Sequence, residues 1–536
     1  MSFHSTMEGN EWPLPQLIRH RAETTPDDVY LESVDGPSLT YGMFHRKAAG
    51  WAGALARSGL VCGQRVAILS EDQLEATALW VGLAWIRAVG VPIHRVQGYH
   101  GNVLERILAD TESVLLVISA SFIDRLDGVD VHSTKLRTIV VLGTTAAKPF
   151  ANVRTVGVEE FLRAVSDPLP VGPTGSDMAA ITYTSGSSGP PKGAVVYWTQ
   201  IVAGTRREWL GEPDRIEGQY KFYWPIPMTW APSFRGLYWI AFVGGTLVIR
   251  DGLDPAYFLA DIDEYQCSGA FVSAGLMRYL LQQSEDCRKP PSLKFVTIAG
   301  AVPDCVDEFK SLLDVTACTA YGMTELPSYF IGSRGFTVDR SYAGGCCGYA
   351  RSDIELRIVD GSDEPVPEGH VGELIVRSSR PWMITTEYVA MPDATAAAWR
   401  NGWFHTGDAF SRDEQGRYYF FERMADVITR NGKPISSTRI ETALCDHPDV
   451  IMAAVAVPDD AADRCHLRAF VVLRGPQADA SPDLNVFLAS RLPGFLLPDS
   501  IEFLRELPRT PTGKIDRPAL RRGSVTNAER SPPWQG

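Results

Sequence analysis

Residues 183–194, which read YTSGSSGPPKGA, combine hydroxyl side chains, glycines and one lysine in a single short stretch. Glycines let a backbone approach a ligand closely, and consecutive backbone N–H groups and hydroxyls donate hydrogen bonds to phosphate oxygens. Pro190 and Pro191 prevent the stretch from continuing as a helix or a strand. Because Lys192 adds a positive charge beside these donors, the pattern predicts a loop that binds phosphate groups.

The spacing of this loop differs from that of the common nucleotide-binding P-loop, in which Ser or Thr follows the Gly-Lys pair. Here Gly193 follows Lys192. A flexible surface loop of ordinary Gly/Ser composition would look the same, so the interpretation depends on the motifs that accompany it further along the chain.

The size and charge of the chain restrict the classes of protein to which it can belong. At 536 residues it exceeds what one hydrophobic core usually supports, and its 45% hydrophobic and 21% charged content is ordinary for a globular protein. A net charge of −13 argues against a surface that binds nucleic acid or anionic membranes. The first residues lack the apolar segment of a secretory signal, and no apolar run approaches the ~18 residues of a membrane span. We therefore predict a cytoplasmic protein of two or more domains, with no membrane span and no nucleic-acid partner.

The nine cysteines are scattered without a Cys-x-x-Cys pair. Cys346 and Cys347 are adjacent, and Cys465 precedes His466, but neither pair has the spacing of zinc ligands. We predict that all nine are reduced and that cysteine holds no metal.

Strand-like and helix-like stretches alternate through the first part of the chain. The sequence predicts helices at 44–58 and 75–89, and buried strands at 65–70, 115–118 and 138–142. The same rhythm returns at 245–249, 269–272 and 295–298. Such alternation is typical of layered α/β sheets with largely parallel strands.

The pattern changes near residue 345. Predicted strands at 354–359 and 372–376 and a hairpin within 413–421 indicate a small β-rich subdomain over about 345–422. After it, a helix at 437–446 and strands at 452–457 and 467–473 indicate an α+β unit. We predict a large N-terminal domain over 1–422, a hinge at 423–426 and a smaller C-terminal domain over 427–536.

Further segments give these elements a chemical meaning. They read IAGAVP at 298–303, AYGMTE at 320–325, GWFHTGD at 402–408, FERMADVITRNG at 421–432 and LPRTPTGKIDRPAL at 507–520. With the first loop, their order and wording resemble the adenylate-forming superfamily, which includes acyl-CoA synthetases, adenylation domains of peptide synthetases and luciferases. The resemblance spans residues 38–521. It implies an active site between the large domain and a mobile C-terminal lid.

The chemistry of that family explains the residue types. A carboxylate is transferred onto the α-phosphorus of ATP, which forms an acyl-adenylate and releases pyrophosphate. Both reactants are anions, so the site must hold them together and neutralise charge. The resemblance therefore implies ATP and Mg²⁺, with CoA as a possible co-substrate.

The resemblance also implies a role for each motif residue. It assigns the β- and γ-phosphates to Thr184, Ser185, Gly186, Ser187, Ser188, Gly189 and Lys192. It assigns adenine to Tyr321, with backbone from Gly300 and Ala301, and it includes Gly322, Met323 and Thr324 in the nucleotide site. Glu325 is the predicted Mg²⁺ ligand, because this hard cation prefers carboxylate oxygen. Asp408, which follows Gly407 at a turn-like position, would accept both ribose hydroxyls, and Arg423 would reach the ribose or the phosphates.

Lys514 is the residue to which the resemblance gives the largest catalytic role. Gly513, Pro508 and Pro511 place it on a loop of the C-terminal domain, far in sequence from Lys192. Domain closure would bring its ammonium between the substrate carboxylate and the ribose O5′, where it stabilises charge only when the lid is shut.

The acid is expected to bind near residues 224–236, which read WPIPMTWAPSFRG. Amino-acid-activating relatives place an aspartate in this stretch to hold the α-ammonium group, and none is present, so a free α-amino acid is not expected. Trp230, Ser233 and Phe234, with Ala320, are predicted to wall a pocket for an aryl or short acyl group. Ordinary core packing of the aromatic side chains is the alternative.

The sequence does not decide which molecule accepts the activated acyl group. Relatives carry Asp or Lys at the hinge position where this chain has Ala425, and a loop that commonly carries Gly-Glu reads ADRC at 462–465. These departures lie in the hinge and in the C-terminal domain, which in the relatives presents the thiol acceptor. No carrier-protein motif follows Lys514. The acceptor is therefore expected to be a separate molecule: CoA, a carrier protein, or an amine as in amide synthetases. Activation of nitrite for diazotisation and a non-catalytic nucleotide-binding relative are further alternatives.

Overall fold

The computed structural model of the protein describes residues 12–95, 100–143, 150, 153–163, 169–184, 191–203, 220–283, 288–327, 330–430, 433–459, 466–474, 483–509 and 515–523. It has the α/β fold class that the sequence predicts. A large N-terminal domain of sheets and helices precedes a smaller C-terminal domain.

The first sheet of the N-terminal domain is parallel and ends in an antiparallel pair. In spatial order its strands are Arg154–Gly157, Thr138–Leu142, Leu115–Ser119, Arg65–Leu69, Val89–Pro92, Met178–Thr184 and Lys192–Tyr197. Leu115–Ser119 is buried along its whole length, as expected for a parallel strand that is covered on both faces. The antiparallel pair carries Thr184 and Lys192 at its open end.

The second sheet is longer and changes from antiparallel to parallel along its width. In spatial order its strands are Ile354–Val359, Gly372–Ser378, Trp403–Arg412, Arg417–Arg423, Cys346–Ala350, Ile331–Gly332, Thr316–Tyr321, Phe295–Ala299, Gly269–Val272, Lys221–Trp224, Thr246–Ile249, Val29–Ser33 and Ser38–Thr40, with Trp399–Arg400 paired to Trp403–Arg412. The region predicted as a β-rich subdomain therefore does not form a sheet of its own. The short strand Ile331–Gly332 joins it to the parallel strand Thr316–Tyr321.

Helices cover both sheets of the N-terminal domain. They are Leu14–Thr24, Tyr41–Arg57, Gln73–Trp85, Asn102–Asp110, Val158–Leu162, Trp198–Ala203, Ala231–Val243, Phe258–Glu264, Ala274–Gln282, Val306–Leu313 and Pro392–Ala398. A core cluster that includes Trp51 and Trp85 joins residues of both sheets, so the helices that carry these tryptophans lie between the sheets. In the described ranges, none of the helices is both long enough and apolar enough to cross a membrane.

The helix predicted over 75–89 is shorter in the structure, where it runs over Gln73–Trp85. It begins where the Asp72 carboxylate accepts the Glu75 N–H at 2.9 Å. The chain then turns at Arg87, which has a φ of 57°, and the strand Val89–Pro92 follows. Because the apolar residues of helix and strand follow one another closely, their hydrophobicity does not mark the boundary.

The predicted hairpin also differs in its register. Its strands are Trp403–Arg412 and Arg417–Arg423, so residues 413–416 form the turn and do not begin a strand. The Asp413 carboxylate accepts the Arg417 N–H at 2.8 Å and pairs with the Arg417 guanidinium at 2.8 Å. The turn therefore closes on its own side chains.

The C-terminal domain has the α+β character that the sequence predicts. Its strands are Ile428–Arg430, Lys433–Ile435, Val450–Ala456, Arg468–Leu473 and Ser500–Leu504, and its helices are Ser437–Cys445, Leu484–Ala489 and Arg517–Arg521. The central strand Arg468–Leu473 pairs antiparallel with Val450–Ala456 and parallel with Ser500–Leu504.

The C-terminal domain docks on the last strand of the N-terminal domain. The buried carboxylate of Glu422 accepts hydrogen bonds from the Ser437 hydroxyl at 2.7 Å and from the Thr438 N–H at 3.1 Å. Within the predicted hinge, Ala425 is exposed. Asp426 pairs with Arg521 at 2.5 Å, so the chain from Asp426 onward is tied to the C-terminal domain.

Candidate functional site

Asp408 lies within the strand Trp403–Arg412, not in a separate turn, but the strand is irregular at this point. Gly407 has a φ of +70°, a conformation that favours glycine. The Gly407 N–H donates to Glu373 at 3.0 Å, and the Asp408 N–H donates to the Thr406 hydroxyl at 3.1 Å. This bulge turns the Asp408 side chain inward, where it is only 2% exposed.

The buried Asp408 carboxylate is paired with two side chains, of which Arg423 is 45% exposed. Arg423 is its partner across the antiparallel strands, and Arg423 Nη1 lies 2.7 Å from Asp408 Oδ1. The Tyr321 hydroxyl donates to the other carboxylate oxygen. Burial raises the pKa of Asp408, while Arg423 and the Tyr321 hydrogen bond act in the opposite direction. Burial, and then the Asp408 charge, also raises the pKa of Tyr321 well above its ordinary value, so its hydroxyl stays a donor.

Tyr321 ends a parallel strand beside a glycine turn. Gly300 follows the neighbouring strand and donates its N–H to the Ala320 carbonyl at 2.7 Å. Its φ is +76°, and a Cβ at this position would lie 4.0 Å from the Tyr321 ring. The ring is itself packed among the aromatic side chains of Phe330, Phe410 and Phe420. The backbone of Gly300 therefore faces the Tyr321 ring at the carboxyl ends of two parallel strands.

Glu325 is buried a few residues further on, with 5% of its surface exposed. Its Oε1 accepts the Tyr388 hydroxyl at 2.9 Å. Its backbone carbonyl accepts the Gln200 side-chain amide at 3.0 Å and the Thr385 N–H at 2.7 Å. The Glu325 charge also raises the pKa of Asp408, so the two carboxylates lie within electrostatic range of each other.

Lys192 begins the strand Lys192–Tyr197, opposite Thr184. The Thr184 hydroxyl donates to the Lys192 carbonyl at 3.3 Å. The Lys192 ammonium lies 5.0 Å from the centroid of the Tyr388 ring, over its face. Tyr388 thus contacts both Lys192 and Glu325, although it belongs to none of the motifs that the sequence singles out.

Some of the other residues predicted for the nucleotide site are described by the structure, and the rest are not. Gly322 is exposed, and Met323, Thr324 and Ala301 are partly buried beside the site. Arg235, which sequence reasoning missed, is buried and donates to the carbonyls of Met323 and Leu326. The phosphate-loop residues Ser185, Gly186, Ser187, Ser188 and Gly189, together with Lys514, lie outside the described residues, and their roles stay predictions.

Of the four predicted acyl-pocket residues, Trp230 is exposed, Ser233 and Phe234 are buried, and Ala320 is partly buried. Trp230 is 42% exposed, and its ring lies 5.4 Å from that of His94. Ser233 is fully buried. Its hydroxyl accepts the Trp224 indole N–H and donates to the Pro227 carbonyl, each at 2.9 Å. Ser233 therefore stabilises the turn, and its part in a substrate pocket stays a prediction.

Phe234 stacks on Trp80 at 4.3 Å and, with Met228, lines a small cavity of about 20 Å³. His94 contacts Trp230, which is not among the residues that line this cavity. Burial, and then the nearby Arg95, lowers its pKa to about 4, so the imidazole facing Trp230 is neutral at physiological pH. An aromatic ring and a neutral imidazole offer an uncharged surface to a ligand.

The raised pKa of Asp408 predicts how nucleotide binding responds to pH. The resemblance assigns the ribose hydroxyls to Asp408, and protonation would remove both the negative charge that pairs with Arg423 and the ability of the carboxylate to accept two hydroxyls. We expect the KM for ATP to increase as the pH falls through the Asp408 pKa, and this increase to begin at a higher pH than an ordinary aspartate would give. The measurement is the KM for ATP across the mildly acidic range. A KM that follows the titration of an unperturbed carboxyl would contradict the expectation.

Comparison with known proteins assigns these motifs to a family. A family model described as "AMP-binding enzyme" matches residues 18–388, and one described as "AMP-binding enzyme C-terminal domain" matches residues 439–514. The long-chain-fatty-acid–CoA ligase FadD13 of Mycobacterium tuberculosis is 26% identical over 512 residues, which cover 94% of this chain and 97% of that protein.

Solved structures agree with the fold. The anthranilate CoA ligase AuaEII in complex with anthranoyl-AMP has a TM-score of 0.82 at 21% identity, covering 96% of this chain and 97% of that one. The amide bond synthetase McbA from Marinactinospora thermotolerans has a TM-score of 0.75 at 25% identity, covering 95% and 99%. Since the first family model alone matches well over half of the chain, this protein belongs to the AMP-binding enzyme family, the adenylate-forming superfamily that its motifs resemble.

Proposed function

We propose that this protein is an ATP-dependent, AMP-forming acid ligase. A substrate carboxylate oxygen attacks the α-phosphorus of ATP, the bond to the β-phosphate oxygen breaks, and pyrophosphate leaves. A thiol then attacks the acyl carbon, and AMP leaves as the thioester forms. The observation that carries the proposal is the buried Asp408 carboxylate, bonded to Arg423 and Tyr321 beside the backbone of Gly300. This arrangement offers an acceptor for ribose hydroxyls next to a flat site for adenine.

The donor set suits a magnesium nucleotide. Mg²⁺ in enzymes commonly binds one or two carboxylates and takes its other ligands from substrate phosphates and water. Glu325 supplies a buried carboxylate, and the described residues contain no group of three or more His, Cys, Asp or Glu that would cage a metal without substrate. We propose that Glu325 would hold Mg²⁺ together with ATP. When bound, the ion supplies positive charge to the phosphate oxygens.

The phosphates are proposed to bind on the first sheet. Thr184 and Lys192 face each other at the end of an antiparallel pair, and residues 185–191 connect them in the sequence. Lys192 is proposed to neutralise the β- and γ-phosphates and to keep the pyrophosphate in place as it forms. Lys514, carried by the C-terminal lid, is proposed to stabilise charge on the acid carboxylate and the ribose O5′.

The acid is proposed to be an aryl or short acyl carboxylate that binds against Trp230. The proposed pocket wall combines this indole with the neutral His94 imidazole, and neither group carries a charge. We expect Trp230→Ala to raise the KM for the preferred acid about tenfold, as the loss of a stacked aromatic contact implies, and to leave the KM for ATP unchanged. Phe495→Ala is the control, because Phe495 is 50% exposed but lies in the C-terminal domain. Equal effects of both variants on the acid KM would contradict the assignment.

The acceptor is proposed to be CoA or a separate carrier-protein thiol, in line with the CoA ligase relative. An amine is the second candidate. The similarity to an amide bond synthetase supports it, as does the alanine at position 425 within the predicted hinge. Activation of nitrite belongs to the same group of alternatives.

Pyrophosphate release tests these candidates together. The protein would be incubated with ATP, Mg²⁺ and a panel of aryl, short-chain and inorganic acids, each with CoA, with an amine and with neither. Turnover that rises only with CoA supports the ligase proposal, and turnover that rises only with an amine supports the second candidate. Absence of pyrophosphate release with every acid would contradict both and favour a non-catalytic nucleotide-binding protein.

A further inference from the structure

We infer that Tyr388 is a positioning residue that couples the phosphate-binding lysine to the metal-binding carboxylate. The inference rests on the proposed function, because it takes Lys192 and Glu325 as the groups that meet the magnesium nucleotide. Tyr388 acts through these two side chains and has no role of its own in bond formation.

The hydroxyl of Tyr388 fixes the Glu325 carboxylate. It donates to Glu325 Oε1 at 2.9 Å, and both side chains are more than nine-tenths buried. Burial, and then the Glu325 charge, raises the pKa of Tyr388, so the hydroxyl keeps its proton and remains a donor. Oε2 of Glu325 would then meet the cation, as in metal sites where an outer hydrogen bond orients the ligand.

The ring of Tyr388 supports the Lys192 ammonium, which lies 5.0 Å from its centroid. Pairing between two backbone segments places the ring next to the ammonium. Tyr388 forms an antiparallel bridge with Ala194, and the Val389 N–H donates to the Gly193 carbonyl at 2.9 Å. Lys192 lies two residues from Ala194 and so shares its face of the strand, diagonal to Tyr388, where long and aromatic side chains meet.

The backbone around Tyr388 is held in turn by the segment that follows. The Tyr388 N–H donates to the Thr395 hydroxyl at 3.0 Å. The preceding Thr385 N–H donates to the Glu325 carbonyl at 2.7 Å. Residues 385–388 are therefore tied to Glu325 at both its backbone and its carboxylate, and to the strand of Lys192. Tyr388 sets the separation between a cation and a carboxylate before nucleotide arrives.

The test measures the Mg²⁺ dependence of binding of α,β-methylene ATP, which requires no acid and no chemistry. Tyr388→Phe keeps the ring and removes the hydroxyl. We expect the Mg²⁺ concentration for half-maximal binding to rise about 10- to 100-fold, the range seen when an outer partner of a metal ligand is lost. Tyr388→Leu also removes the ring, and we expect the affinity for the nucleotide itself to fall a further two- to fivefold or so.

Tyr197→Phe is the matched control. Tyr197 lies on the same strand as Lys192, and its hydroxyl bonds to the Thr386 hydroxyl at 2.9 Å, away from Glu325. The Mg²⁺ dependence of nucleotide binding by Tyr197→Phe is expected to match that of the wild type. A Tyr388→Phe variant with the same Mg²⁺ dependence as Tyr197→Phe would overturn the inference.

A double-mutant cycle separates positioning from general destabilisation. Because the hydroxyl acts through Glu325, adding Tyr388→Phe to Glu325→Gln should change the Mg²⁺ dependence little beyond Glu325→Gln alone. If Tyr388→Phe alone does not fold, the double variant is compared with Glu325→Gln. Neither of these two variants buries an unpaired carboxylate charge. Additive effects would overturn the inference.

The proposed function can fail separately. Wild-type protein that binds the magnesium nucleotide but releases no pyrophosphate with any acid would contradict the ligase proposal and leave the role of Tyr388 standing. Wild-type protein that does not bind the nucleotide would overturn both.

Discussion

Replacement of Asp408 by asparagine is expected to lower kcat/KM for ATP by about 10- to 100-fold, since a hydrogen bond to a charged group contributes about 1.5–3 kcal/mol and the Asp408 carboxylate is buried although its partner Arg423 is 45% exposed. The amide has nearly the same shape but no charge to pair with Arg423, whose Nη1 lies 2.7 Å away. It also presents an N–H₂ group where the carboxylate would accept a ribose hydroxyl. The measurement is the initial rate of pyrophosphate release at varied ATP and saturating acid.

Asp413→Asn is the control for this change. Asp413 pairs with Arg417 at 2.8 Å in the same hairpin, at the turn. We expect it to leave the KM for ATP close to that of the wild type. A KM for ATP that is equal in the two variants would remove Asp408 from the nucleotide site.

Glu325→Gln is expected to slow adenylate formation by about 100- to 1,000-fold, the usual cost of losing one preorganised charge at a reacting centre. The amide oxygen can still accept the Tyr388 hydroxyl, so the fold around it is preserved while the charge is lost. Single-turnover formation of the adenylate at several Mg²⁺ concentrations is the measurement. We expect more Mg²⁺ to restore part of the rate.

Glu387→Gln is the matched change, because Glu387 is exposed and adjoins the same tyrosine. The Glu387→Gln variant should form the adenylate at the rate of the wild type. Adenylate formation that is unaffected in Glu325→Gln would show that the ion is held elsewhere.

The strands of the site were predictable because parallel strands that are covered on both faces leave short apolar runs. The runs at 269–272 and 295–298 correspond to Gly269–Val272 and Phe295–Ala299 in the structure. The identity of the family followed from motifs around strand ends, where glycine and charged residues must meet a ligand. The ends of elements were less predictable, since the helix Gln73–Trp85 and the strand after it form nearly one apolar stretch.

Tyr388 could not be found from the sequence. Its contacts with Lys192 and Glu325 depend on a bridge to Ala194, and no local pattern records a pairing between residues so far apart. Ser233 shows the opposite case, in which a residue inside a recognisable stretch turns out to bond internally. Sequence patterns therefore located the candidate site, while the partners of each side chain required the fold.

The docking of the C-terminal domain on Glu422 links domain position to proton binding. Burial raises the pKa of this carboxyl, although the Ser437 hydrogen bond and then Arg517 oppose the shift. A rotation that separates Ser437 from Glu422 would return the carboxyl to water and to its ordinary pKa. Between the ordinary and the raised pKa the docked form binds more protons than the separated form, so separation releases protons and is favoured as the pH rises through that window. Above the raised pKa the carboxyl is ionised in both forms, so Glu422 no longer makes the domain position depend on pH.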